Sequence, residues 1–172
     1  GFDIVIANPP YVSGKSGSFS NEEKKYFNKT YDVAEYQLDT YVLFTEKGVR
    51  ICRKGGVLVY IMPNSWLANI RLIKIRKFLL NKKSILNIVV NPSDTFSSAV
   101  VDTIILIAQN YSIANNKISV GSFSNWNYGI DTVLDQSTFR SNKNFIFDIS
   151  LNQKTRVMLK KIESGAKLIK DI

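Results

Sequence analysis

The amino-acid sequence predicts an α/β fold, in which helices flank a layered β-sheet. Strand-like apolar runs alternate with helical patterns along the chain, and the first four runs are almost continuously apolar. Such runs are typical of strands that are buried on both faces, whereas half-exposed strands alternate apolar and polar residues. With 172 residues, the chain is long enough to bury one substantial core.

Five segments rich in apolar and β-branched residues are predicted to be strands. They are Phe2–Ala7, Val57–Met62, Ile85–Val90, Val101–Ala108 and Ile118–Phe123.

Two helices are predicted from capping boxes, in which a serine is followed three residues later by Glu or Gln. The segment Ser20–Glu23 has this spacing and predicts a short helix through Lys29. The segment Ser150–Gln153 has it again and predicts a helix that continues to Ile162.

Two further helices are predicted between the strands. Asp39 is a candidate N-cap for a helix that runs to about Arg53, and the Gly55-Gly56 pair is expected to end it. A second apolar stripe at helical spacing predicts a helix over Trp66–Asn81.

A change in composition near residue 110 predicts two parts of the chain. Residues 1–110 hold the long apolar runs, whereas residues 111–172 are richer in Asn, Ser and Gly. We therefore expect a boundary between one part at 1–110 and a second part at 111–172.

The composition excludes several kinds of chemistry. The chain has no histidine and one cysteine, which excludes Ser-His-Asp and Cys-His nucleophile systems, His-ligated metals and internal disulfides. No metal is expected. The net charge of +9 favours a polyanionic partner, although a solvated basic surface would also explain it. No apolar run is long enough to span a membrane, so we expect a cytoplasmic protein.

The sequence Asn8-Pro9-Pro10-Tyr11 follows the first predicted strand. Two consecutive prolines cannot continue a central strand or a helix, so they predict a rigid extended turn. Asn8 would then project from the carboxyl end of a buried strand, which is where ligands bind in open α/β sheets.

The side chains of this turn suit chemistry on a planar amino group. The lone pair of an exocyclic amino nitrogen on a base is delocalised into the ring, so the nitrogen must move towards tetrahedral geometry before it attacks. The amide oxygen of Asn8 and the carbonyl oxygen of Pro9 could accept its two N–H bonds, and Tyr11 could stack on the base.

The turn and the preceding Phe2–Ile6 resemble motif IV of the amino-methyltransferases that use S-adenosylmethionine. DNA adenine-N6 enzymes and protein-glutamine N5 enzymes share this motif. Over about residues 2–108, the order and spacing of the downstream segments resemble the TaqI-like DNA adenine methyltransferases, especially those within large type II restriction-modification proteins. The segments that carry this resemblance are Asp39–Phe44, Gly55–Leu67, Ile75–Leu80 and Phe96–Ile107.

The resemblance implies a class I (Rossmann-like) fold, with a mostly parallel sheet and a C-terminal antiparallel strand. It also implies that residues 1–110 are the C-terminal half of the methyltransferase catalytic domain, and that residues 111–172 connect it to a DNA-specificity domain. It implies that Asn8, Pro9, Pro10 and Tyr11 are catalytic, and that Tyr11 and Phe96 stack on a flipped adenine. The implied cofactor is S-adenosylmethionine, whose main glycine-rich binding loop precedes motif IV in the family and is expected to be missing here.

Further contacts are expected around the turn. Asn8 and Phe44 are candidates for contact with the cofactor, although Phe44 also lies on a helical stripe that suits the core. Lys15 and Ser16 follow Tyr11 and are candidates for contact with DNA.

Three hypotheses therefore follow from the sequence. In the first, the chain is part of an enzyme that methylates adenine N6 in double-stranded DNA and is fused to a restriction endonuclease. In the second, the methyl acceptor is glutamine N5 in a protein. In the third, the isolated piece binds DNA and is catalytically inert. We also expect the apolar strand Phe2–Ala7 to be an open edge that supports a homodimer.

Overall fold

The computed structural model describes residues 1–14, 17–35, 38–91, 102–124 and 127–150, together with residues 155, 158 and 162. Within these residues the chain forms a six-stranded sheet with the strand order β1-β2-β4-β3-β5-β6. The strands are β1 Phe2–Ala7, β2 Cys52–Pro63, β3 Ser84–Val90, β4 Thr103–Gln109, β5 Lys117–Ser124 and β6 Asn127–Asp135.

The sheet is mixed. β1 pairs with β2 in parallel, and β3 pairs with β5 in parallel. β4 lies between β2 and β3 and is antiparallel to both, and β6 is antiparallel to β5. Thus β1, β2, β3 and β5 run in one direction, and the predicted α/β class is confirmed.

Helices follow or connect the strands. The α-helices are α1 Asn21–Thr30, α2 Thr40–Ile51, α3 Ile73–Lys82 and α4 Gln136–Ser141, with short 3-10 helices at Asn64–Leu67 and Lys143–Phe145. No helix within the described ranges is long and apolar enough to cross a membrane.

The capping box predicted for α1 is confirmed. The backbone N–H of Glu23 donates to the Ser20 hydroxyl at 3.2 Å, and the backbone N–H of Ser20 donates to the Glu23 carboxylate at 2.7 Å. These two bonds satisfy amide donors that a helix N-terminus leaves without intrahelical partners.

The prediction that Gly55-Gly56 ends a helix near Arg53 is wrong. α2 ends at Ile51, and both glycines lie inside β2. Gly55 has a positive φ of 80°, and a Cβ on Gly56 would lie 2.7 Å from the carbonyl oxygen of Phe2. The pair therefore accommodates the register shift between β1 and β2.

The single helix predicted over Trp66–Asn81 is also wrong, because the segment is divided. A 3-10 helix ends at Leu67, and α3 begins only at Ile73. Between them the side-chain oxygen of Asn69 accepts the backbone N–H of Arg71 at 2.9 Å. Such a local side-chain bond offers the backbone an alternative to helical pairing.

The core lies on one face of the sheet. Leu58, Tyr60 and Met62 of β2 are buried and belong to one cluster with apolar residues of α2 and α3. The residues that alternate with them are only half-buried, and Ile4 and Ile6 of β1 are 60 and 73% exposed. Burial on both faces, which the apolar runs predicted, is found in β3, where the consecutive residues Ile88 and Val89 are both buried, but not in β1.

Three elements beyond residue 110 were not predicted: β6, α4 and the 3-10 helix Lys143–Phe145. β6 extends the same sheet, and α4 packs close to α3. The division of the chain near residue 110 stays a prediction. The helix predicted from Ser150 to Ile162 lies mostly outside the described residues.

Candidate active site

The Asn8–Tyr11 turn begins where β1 ends, beside the parallel strand β2. Asn8 and Pro10 are exposed, Pro9 is buried, and Tyr11 is 38% exposed. The structure therefore places the turn at the carboxyl ends of two parallel strands, where an α/β sheet offers room for a ligand.

Two hydrogen-bond acceptors of the turn are free within the described residues. No bond there engages the side-chain amide of Asn8 or the carbonyl oxygen of Pro9. By contrast, the carbonyl oxygen of Pro10 accepts a bond from the hydroxyl of Thr40. The free acceptors are the pair that the sequence predicts for a planar amino group.

The Tyr11 side chain is held by one hydrogen bond and one ring contact. Its hydroxyl donates to the carbonyl oxygen of Ile61 in β2 at 3.2 Å. The ring meets the Tyr41 ring edge-on, with centroids 6.3 Å apart and planes at 85°. Partial burial raises the pKa of the Tyr11 phenol, so the hydroxyl stays protonated as a donor. The ring is thus held in place while more than a third of the residue remains accessible.

Tyr41 supports Tyr11 from inside the protein. Tyr41 is 4% exposed, and its hydroxyl lies 3.1 Å from the hydroxyl of Ser65. Desolvation strongly raises the pKa of Tyr41. Its contact with Tyr11 was missed, because helical spacing shows only which face a residue occupies.

A second anchor of the turn was also missed. Thr40 is the first residue of α2, and its hydroxyl accepts the backbone N–H of Val12 at 3.0 Å while it bonds Pro10. The backbone N–H of Thr40 donates to the carbonyl oxygen of Val12 at 3.0 Å. These partners are 28 to 30 residues apart in sequence, so no local pattern could reveal the contact.

Phe44 lies on α2, one helical turn beyond Thr40. Tyr41, Val42 and Leu43 are buried, whereas Phe44 is 45% exposed. An exposed aromatic ring near the N-terminal end of a packed helix is available to a ligand. The structure therefore does not place Phe44 in the core.

Three predicted site residues, Lys15, Ser16 and Phe96, lie outside the described residues. Their proposed contacts with DNA or base stay predictions. Among the residues that are described, no group of three His, Cys, Asp or Glu side chains is placed to hold a metal ion.

The Eco57I restriction-modification methylase family matches residues 1–96 of the chain. The Escherichia coli protein named type II restriction enzyme and methyltransferase RM.Eco57I is 28% identical over 171 residues. That similarity covers 98% of this chain and 16% of the relative, so the chain spans about a sixth of the relative's length.

Solved structures show the same fold. The type IIG restriction endonuclease BpuSI superposes with a TM-score of 0.66 at 17% identity, over 94% of this chain and 22% of that one. A Listeria monocytogenes protein assigned to the class I S-adenosylmethionine-dependent methyltransferases superposes with a TM-score of 0.58 at 22% identity, over 72% of this chain and 37% of that one.

The strand order, with antiparallel β4 between β2 and β3, is therefore that of a class I methyltransferase fold. The Asn8–Tyr11 turn falls within the matched residues, which make up more than half of the chain. The chain belongs to the Eco57I restriction-modification methylase family.

Proposed function

We propose that these residues are part of a longer protein that transfers a methyl group from S-adenosylmethionine to N6 of adenine in double-stranded DNA. The observation that carries the proposal is the pair of free acceptors on Asn8 and Pro9, beside an accessible Tyr11 ring, in a member of this family. The name of the E. coli relative supports a protein that combines a methyltransferase with a restriction endonuclease.

The turn would act on the acceptor nitrogen by directed hydrogen bonds. The side-chain oxygen of Asn8 and the carbonyl oxygen of Pro9 would each accept one N–H of the adenine amino group. Two acceptors on opposite N–H bonds favour a tetrahedral nitrogen, whose lone pair is then available for attack. Pro9 is suited to this role because its buried position fixes the carbonyl.

Tyr11 would hold the base against these acceptors. Removing a base from the duplex costs a few kcal/mol, and stacking on an aromatic ring recovers about 1–3 kcal/mol. The bond to Ile61 and the edge contact with Tyr41 keep the ring orientation fixed before the base arrives. Phe96 is proposed as the stacking partner on the opposite face of the base.

S-adenosylmethionine would supply the electrophilic methyl group on its sulfonium sulfur. The residues that fit contact with it are Asn8, at the strand end, and the exposed ring of Phe44 on α2. We propose that the main cofactor loop lies elsewhere in the longer protein, because no Gly-x-Gly turn occurs in this sequence.

The net charge of +9 supports a DNA partner, and Lys15 and Ser16 are proposed to contact the strand near the base. A protein acting on DNA in this way would work in the cytoplasm. For the 172-residue chain alone, we propose a homodimer through β1, because β1 is an edge strand with exposed apolar side chains.

The test is single-turnover methyl transfer by the full-length protein, with labelled S-adenosylmethionine and duplex DNA, followed by mass spectrometry of the nucleosides. We expect N6-methyladenine. Asn8→Ala should lower the rate by about 10²–10³-fold and leave DNA affinity unchanged, since one directed bond to the reacting group is lost. Asn81→Ala, on the exposed face of α3, is the matched control. Methylation of cytosine, or of a glutamine-containing peptide and not DNA, would contradict the proposal.

A further inference from the structure

We propose that Thr40 is a positioning residue for methyl transfer, because its hydroxyl fixes the Asn8–Tyr11 turn to the first residue of α2. This inference rests on the proposed function and extends it to a residue that never meets the base. Thr40 would act through the turn alone, by setting where the acceptors of Asn8 and Pro9 lie.

The turn has little means of fixing itself. Pro9 and Pro10 have no N–H, so the first amide donors after Asn8 belong to Tyr11 and Val12. The donor of Val12 is taken by the Thr40 hydroxyl at 3.0 Å. Stabilisation of this segment must therefore come from residues distant in the sequence.

The Thr40 hydroxyl joins both sides of the turn at once. As an acceptor it takes the Val12 N–H, and as a donor it bonds the carbonyl oxygen of Pro10, with the carbonyl oxygen of Val12 as a more distant second acceptor at 3.3 Å. Only a hydroxyl both donates and accepts at one atom in this way. A valine has the same shape and β-branching, but it would lose both bonds.

Backbone pairing between residues 12–14 and residues 38–40 extends the contact that the Thr40 hydroxyl makes. The backbone N–H of Thr40 donates to the carbonyl oxygen of Val12, and Ser13 forms an antiparallel bridge with Asp39. The backbone N–H of Gly14 donates to the carbonyl oxygen of Leu38 at 2.7 Å. These backbone contacts hold the chain after the turn, so the hydroxyl alone reaches back to Pro10.

The anchor is attached to a rigid element. Residues on the buried side of α2 pack into the main core, so the position of Thr40 is set by the core of the protein. Because Thr40 occupies the Pro10 carbonyl and leaves the Pro9 carbonyl free, it also decides which oxygen faces the amino group. A displacement of about 1 Å at a reacting centre lowers rates by about 10²-fold.

The experiment uses the full-length protein with Thr40→Val, Thr40→Ser and the control Thr45→Val. Thr45 lies on the same helix and is buried, and its hydroxyl donates to the carbonyl oxygen of Tyr41 at 2.8 Å. Two quantities are measured: the single-turnover methyl-transfer rate at saturating DNA and cofactor, and hydrogen exchange of the peptide around Val12. That peptide has few amides besides Val12, because two of its residues are prolines.

We expect Thr40→Val to lower the transfer rate by about 10- to 100-fold with unchanged DNA affinity, and to speed exchange at Val12. Thr40→Ser should restore both quantities, and Thr45→Val should change neither. If hydrogen exchange at Val12 is the same in Thr40→Val as in wild type, the positioning role is wrong, whatever the methyl-transfer rate. Faster exchange with a wild-type transfer rate overturns the link to catalysis. If the wild-type protein does not methylate DNA, the proposed function is wrong. In that case, hydrogen exchange at Val12 in Thr40→Val, compared with wild type, still tests whether Thr40 fixes the turn.

Discussion

Arg76 of α3 donates from its guanidinium to the backbone carbonyl oxygen of Trp66 at 2.6 Å, across the break that precedes the helix. The same nitrogen donates to the carbonyl of Asn69 at 2.8 Å, and Nε donates to the carbonyl of Asn144 at 3.0 Å. The Arg76 side chain is fully buried, and desolvation lowers its pKa. One cation thus joins the 3-10 helix, the break and the C-terminal segment.

Replacing Arg76 with Met should destabilise the protein by about 3 kcal/mol, because three carbonyl groups lose a charged donor while the volume is largely kept. Urea unfolding would measure the change. Lys77→Met, at the next and exposed position, is the control and should have little effect. A near-neutral Arg76→Met would mean that water satisfies these carbonyls.

Tyr11 should tolerate loss of its hydroxyl better than loss of its ring. Tyr11→Phe gives up only the 3.2 Å bond to Ile61, whereas Tyr11→Ala removes the stacking surface, worth about 1–3 kcal/mol per base. We expect Tyr11→Ala alone to lose the fluorescence rise of 2-aminopurine placed at the target adenine. Tyr111→Ala, another exposed tyrosine, should keep it. If Tyr11→Phe and Tyr11→Ala change the 2-aminopurine fluorescence equally, stacking on the Tyr11 ring is ruled out.

Gly48 is required where α2 crosses β2. A Cβ at this position would lie 2.6 Å from Leu58 Cδ1 and would also overlap the Tyr60 hydroxyl. Gly48→Ala should therefore destabilise the protein by about 1–3 kcal/mol, although alanine normally favours a helix. Lys47→Ala, on the exposed side of α2, should be neutral in the same thermal unfolding measurement. Stabilisation by Gly48→Ala would show that the helix and strand are loosely packed.

The proposed homodimer of the 172-residue chain should depend on the exposed side chains of β1. Ile4→Lys places a charge on the edge strand, and Ile6→Lys repeats it two residues later. Sedimentation should show a dimer that either substitution converts to monomer. Ile70→Lys, at a side chain that is 67% exposed elsewhere, should leave the dimer intact. A monomeric wild-type chain at high concentration would exclude the dimer.

The free energy of unfolding should depend on pH through the Cys52 thiol. Burial raises the pKa of its thiol, so the folded state disfavours the thiolate. Its contribution to stability is complete below the unfolded pKa of about 8.5 and is lost as pH rises through the higher folded value. Cys52→Ala should therefore lose less stability than wild type as the pH rises above about 8.5. Urea unfolding across that range measures it, and identical curves would contradict the assignment.

Four of the five predicted strands have almost continuous apolar runs, and the fifth, Ile118–Phe123, is found as β5 although polar residues and a glycine interrupt it. β1 has the predicted bounds, whereas the first part of β2 was missed because Arg53, Lys54 and two glycines interrupt its pattern. β6 was missed because Gly129 and Asp131 interrupt its apolar residues, so no strand-like run stands out in this exposed edge strand.

The candidate site was predictable only in part. Two prolines after a strand place the turn, since proline constrains its own backbone and the residue before it. The contacts of that turn with Thr40 and Tyr41 depend on how α2 packs, and packing brings together residues that no local pattern connects.

The position of β4 has a consequence for how the chain folds as it is synthesised. β2 and β3 are separated by β4, which is made after both of them. Until residue 109 has left the ribosome, neither strand has its neighbour on that side, and the backbone N–H and C=O groups along that edge can pair with other chains. Non-local pairing of this kind is slow, so we expect the nascent chain to need a chaperone during that interval.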